Sequence, residues 1–207
     1  MKKLLKLIAL VMTGVLLATC MTACSETPTP MEIYQKTEYS DNVKIYIVVT
    51  IGDSVSAKTV INVDGDIMQM VTRTVAMGTV NEVVNYQQKS GDKFYVYSQD
   101  EEGKWTKKES EEQTGTNGLA QFKELFDEKN YKEFDSKSGR YNMKDGLTLK
   151  INDIVYRDGY IKVEDKNLYV LYVETDQELS GEKTEGSLKI VLSDYGNIKG
   201  LQLPEVK

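Results

Sequence analysis

The sequence predicts a mainly β protein, a large curved antiparallel sheet or half-barrel with one or two short helices. Three observations point there. From residue 43 onward apolar side chains recur at every second position in short runs, the period of a strand. Gly-Asp, Asp-Gly and Ser-Gly pairs separate those runs at hairpin spacing. One stretch alone, Leu119, Phe122, Leu125 and Phe126, spaces its apolar residues as a helix does. Roughly ten strands with one clear helix suit a curved antiparallel sheet, and a sandwich is the competing arrangement.

The chain opens on Met1-Lys2-Lys3-Leu4-Leu5-Lys6 and continues as an apolar run from Leu7 through Ala18. A cationic start, an apolar stretch and small residues afterwards describe a secretory signal peptide. The alternative, a permanent transmembrane anchor, finds barely enough length in residues 7–23. The segment resembles a bacterial lipoprotein signal. Met21-Thr22-Ala23-Cys24 has small residues before the cysteine, with Met21 in place of the more usual Leu. Leu17-Ala18-Thr19-Cys20 is the rival, with a bulkier Thr19 at the cut, and Cys24 is favoured. The resemblance implies a diacylglycerol on the Cys24 thiol, cleavage before it, and further acylation by a palmitate-like chain. Two or more chains hold a domain stably at a membrane. Ser25-Glu26-Thr27-Pro28-Thr29-Pro30 then reads as a polar, extended tether. The expected organisation is a signal peptide over 1–23, a lipidated cysteine and tether over 24–40, and one half-barrel domain over 41–207. It places the domain on the outer, extracytoplasmic face of the cell membrane.

Composition narrows the chemistry. The 207 residues carry 26 basic and 32 acidic side chains and no histidine. Residues 1–23 hold Lys2, Lys3 and Lys6 and no acid, so the other 184 carry 23 basic against 32 acidic groups, a net charge of −9. Without histidine there is no Ser-His-Asp or Cys-His nucleophile and no His-ligated metal. Cys20 and Cys24 are the two cysteines, so the body has no disulfide or thiolate metal site. An acidic body offers no broad basic surface to nucleic acid. No P-loop, dinucleotide fingerprint or G-x-S-x-G occurs, and no stretch fits an EF-hand loop. No catalytic centre, cofactor or metal is expected, and no particular protein partner is indicated.

Within the body, Val43, Ile45, Ile47, Val49 and Ile51 line one face of a first strand. Runs near 55–63, 67–77, 80–88, 93–97 and 104–107 follow, separated by Asp64-Gly65-Asp66, Gly78-Thr79, Ser90-Gly91-Asp92 and Glu102-Gly103. Residues 109–118 read as a polar loop and 119–129 as a short amphipathic helix. Strands resume near 141–145, 147–156, 160–164, 168–175, 186–193 and 197–203, with a turn expected at Asp158-Gly159.

Two features bear on binding. Thirteen tyrosines and Trp105 lie in the body, where such aromatics stack on sugars, line apolar cavities or simply pack across strands. In Ile45-Tyr46-Ile47-Val48-Val49 and in Leu168-Tyr169-Val170-Leu171-Tyr172-Val173 both strand faces are apolar or amphipathic. A sheet with one wet face does not need that, and one short helix cannot cover ten strands. An apolar concavity for a ligand is therefore expected, lined by Ile45, Ile47, Val49, Phe94, Val96, Val170 and Tyr172.

The tyrosine-rich strand Lys93-Phe94-Tyr95-Val96-Tyr97, the turn Asp100-Glu101-Glu102-Gly103 and Lys104-Trp105-Thr106-Lys107 resemble lipoprotein carriers of the LolA/LppX-like type. Ser187 to Leu192 and Ile198 to Leu201 are similar to their closing hairpin. The resemblance implies a half-barrel that shelters a lipid or other apolar cargo against helices, without catalysis. Those carriers begin with a longer helix than Met31 to Lys36 allows, which predicts a more open concave face. The alternative is an envelope module that binds protein or glycan, as a signalling accessory or an adhesive.

Overall fold

The computed structural model describes residues 27–52, 55–110, 117–179 and 182–206. The described strands are β1 (Asn42–Ile51), β2 (Val55–Asp64), β3 (Ile67–Ala76), β4 (Thr79–Ser90), β5 (Lys93–Gln99) and β6 (Trp105–Ser110). After the loop region come β7 (Arg140–Asn142), β8 (Leu149–Ile151), β9 (Ile154–Asp165), β10 (Leu168–Leu179) and β11 (Glu182–Ser193). All pair antiparallel in one sheet, ordered β6-β5-β4-β3-β2-β1-β11-β10-β9-β7, with β8 also on β9. The edges β6 and β7 do not meet, so the sheet stays open, as the alternation predicts. Short loops carry the meander: Gly65 and Gly91 sit at φ +59° and +62° in two hairpins, a region glycine enters without penalty.

Cross-strand partners share a face, so the register identifies the core side. Ile47, Ile190, Leu171, Ile161 and Tyr141 form one row across β1, β11, β10, β9 and β7. All five are buried. Each such side chain contributes roughly 1.5–3 kcal/mol on leaving water. Over this inner face lie α1 (Pro30–Glu38), α2 (Asn117–Ala120) and 3-10 turns at Lys123–Phe126 and Glu128–Asn130. Ile33 and Tyr34 of α1 join Leu119, Phe122, Leu125 and Phe126 in one core with the strands. The Tyr34 and Phe126 rings are 5.6 Å apart. Burial, with a hydrogen bond to Glu38, pushes the Tyr34 hydroxyl up to about 12.

Five local expectations differ. Residues 30–38, expected within the tether, form α1 packed into the core, because Ile33, Tyr34 and Thr37 share one buried helical face. The single helix over 119–129 is instead a short helix and two 3-10 turns. Its apolar residues repeat mostly every third position, the period of a 3-10 turn. Asp158-Gly159 is not a turn but a bulge inside β9, where the register slips against Tyr172 and Glu174. The run 147–156 is cut by Asn152 and Asp153, which reverse the chain at φ +50° and +63°. Residues 197–203 form no strand: Ile198 N–H donates to Asn42 Oδ1 and Gly200 N–H to Asp64 Oδ2, so side chains satisfy that backbone.

Candidate functional site

The site is built on one row of the inner face. Ile51, Gly186, Thr175, Tyr156 and Leu149 are successive partners across β1, β11, β10, β9 and β8. Gly186 has no side chain in the middle of that row. A Cβ there would stand 2.2 Å from the Thr50 carbonyl oxygen and 2.9 Å from Thr175 Oγ1, so only glycine fits. Beside it opens a hollow of about 270 Å³. Val49, Ile51, Leu188, Ile154 and Tyr156 wall it from the strands, Thr175 and Gln177 enter from β10, and Asn152, Gln121 and Phe122 complete it. None of these is charged, in a chain whose residues are 28% charged. Burial pushes the Tyr156 hydroxyl above its ordinary range, so it stays a neutral donor. Chemically the hollow can exclude water from an apolar chain and offer it hydroxyl and amide partners.

The expected lining residues divide among four places. Ile45 and Ile47 are on the inner face but lie under the covering segments as filled core. Val49 is in the hollow. Phe94 borders a separate space of about 60 Å³ with Val63, Met68 and Gln87, room for little more than water. Val96 pairs with Gln87 on that same wing of the sheet. Val170 and Tyr172 are on the other face: Val170 pairs with Val191, which pairs with Tyr46. The correction follows from the strand itself. Leu168 to Val173 is apolar on both sides, so alternation could not tell its faces apart, and the register turns Tyr169, Leu171 and Val173 inward. Cys24, the expected lipidation site, lies outside the described residues, as does Cys20.

Sequence reasoning missed Thr175, Tyr156, Leu188 and Phe122 at the hollow. Thr175 continues the inward set Tyr169, Leu171 and Val173 by twos, a signal that was readable. Tyr156 was not readable, because the bulge at Asp158-Gly159 shifts the phase between it and Ile161.

The opposite face carries a wide, polar depression of about 590 Å³ around Arg157. Its guanidinium donates to Glu174, to Asp158 at 2.9 Å and to Asp176 at 3.1 Å. Lys183 also pairs with Asp176 at 3.1 Å. The hydrogen bonds from Arg157 and then Lys183 hold the Asp176 carboxyl below the usual carboxylate range. This group staples β9, β10 and β11 together. Among the described residues no cluster of three or more acids, cysteines or histidines is placed to hold a metal. No helix among them is long and apolar enough to cross a membrane. Compared with protein families, curated proteins and solved structures, the chain matches none.

Proposed function

We propose that the chain is a membrane-anchored extracytoplasmic lipoprotein whose sheet shelters an apolar or amphiphilic ligand, without catalysis. The charge-free hollow at Val49, Leu188 and Tyr156 carries this reading. A protein with 58 charged side chains has left one inner corner both uncharged and unfilled. The signal-like start, the cysteine at position 24 and the resemblance to half-barrel lipoprotein carriers support the same role. The test is to purify residues 25–207 from the producing cells, extract with organic solvent and analyse the extract by mass spectrometry. A single class of amphiphile near one equivalent is expected. Preparations that hold none, and that bind no apolar probe, would sink the reading.

One observation favours a second reading, a glycan- or protein-binding envelope module. On the outer face the Tyr160 and Tyr172 rings stack at 5.6 Å, with the Arg140 guanidinium 4.1 Å from the Tyr160 centroid. Stacked tyrosines suit the apolar face of a sugar. An empty hollow together with oligosaccharide-induced shifts at Tyr160 and Tyr172 would decide for that module.

A further inference from the structure

Thr175 and Tyr156 are direct partners across β10 and β9. Both line the hollow, and each is only 4% exposed. Neither hydroxyl has a hydrogen-bond partner among the described residues. Arg140 Nε is the one fully enclosed unpaired side-chain atom among those residues, so the two hydroxyls are open to the hollow rather than sealed in packing. Buried hydroxyls ordinarily find a partner, because leaving one unmade forfeits its hydration. Two of them side by side in an apolar pocket mark where the polar end of a ligand belongs. The lining has no charge to meet an ionised headgroup, which would be stripped of water without compensation. The volume of about 270 Å³ falls below that of most drug-sized sites, and so fits one short chain.

Resting on the ligand-binding reading above, we infer that the hollow takes a neutral single-chain amphiphile whose hydroxyl, carbonyl or ether oxygen is held by Thr175 and Tyr156, and that it rejects ionised headgroups. Residues 25–207 carry every described element and the whole core, so they are the unit to test. The neutral apolar dye N-phenyl-1-naphthylamine reports occupancy by fluorescence. Competitors are 1-decanol, decyltrimethylammonium, and decanoate at about pH 8, where it is ionised. Decanol is expected to displace the dye at least about tenfold more potently than either charged competitor. The pair Thr175→Val and Tyr156→Phe keeps shape and removes both hydroxyls. It should retain dye binding while decanol weakens about tenfold, a few-fold from each hydrogen bond. Each single variant, expected to lose a few-fold, keeps the test decisive if the pair unfolds.

Equal potency of the three competitors overturns the neutral-headgroup assignment. So does undiminished decanol binding by the variants, which would mean that water alone serves the hydroxyls. Both results leave the hollow standing as an apolar site. Dye that neither binds nor is displaced overturns the ligand-binding reading itself, and this inference with it.

Discussion

Asp176 shows how single residues hold the open sheet together. It is nearly enclosed, yet it keeps its charge because Arg157 and Lys183 both donate to it. Its carboxyl is held low first by the Arg157 hydrogen bond and then by that of Lys183. A depressed folded pKa adds stability above the unfolded value, near 3.9, and loses it as pH falls through the folded value. The urea midpoint should therefore be higher for the native chain than for Asp176→Asn at neutral pH. The gap should close on acidification below about pH 4. A gap that persists unchanged in strong acid would assign the effect to packing instead of charge. Gly159 shows the opposite economy, room rather than charge. A Cβ there would stand 2.3 Å from Val173 Cγ1 and 2.7 Å from the Tyr172 carbonyl oxygen, so the bulge needs the bare backbone.

At the scale of elements, α1 matters most, because its nine residues bring Ile33 and Tyr34 into the core of the inner face. Its start is well specified. Glu32 N–H donates to Thr29 Oγ1 at 3.3 Å, Thr29 N–H donates to Glu32 Oε2 at 2.8 Å, and Pro30 begins the first turn. Its end is pinned: Lys36 Nζ donates to Asn167 Oδ1 at 2.6 Å and lies 4.6 Å from the Tyr195 ring centroid. Removing the cap with Thr29→Ala should cost about 1 kcal/mol, read as a lower urea midpoint with unchanged slope. No change in midpoint would show that packing by Ile33 and Tyr34 holds α1 without its cap. The edge strand β6 is guarded differently, by the exposed Lys107 and Lys108, which discourage pairing with another chain.

At the scale of the molecule, β1 pairs with both β2 and β11, so the first strand and the last are central neighbours. That closure demands long-range pairing and favours slow, cooperative folding. The central strands are apolar on their outer sides as well. Val170, Val191, Tyr46, Val60, Val71 and Val84 form one row across the outer face. On one flank Lys189, Lys58 and Arg73 share a row, and on the other Lys44, Asn62 and Gln69 do. Long polar side chains with apolar stems cover such a row without a second layer. The proposed anchoring is tested at this scale too. Cys24→Ala should leave an unprocessed precursor that takes up no labelled palmitate in growing cells. Normal processing and labelling of that variant would remove Cys24 from the account.

The strand runs, their hairpins and the open antiparallel sheet were legible because alternation and turn residues act within a few neighbours. Ile45, Ile47 and Val49 share the inner face for that reason, although Ile45 and Ile47 are filled core and only Val49 reaches the hollow. The face of Val170 and Tyr172 was not legible, since an all-apolar strand has no polar side to mark the solvent. Neither was the packing of α1, whose buried Ile33 and Tyr34 acquire meaning only beside Phe126. The sequence by itself determined a mainly β chain with one meander and a body without histidine or cysteine. Only the tertiary structure decided the site, because Thr175 and Tyr156, nineteen positions apart, become neighbours through the β9 bulge and the register it sets.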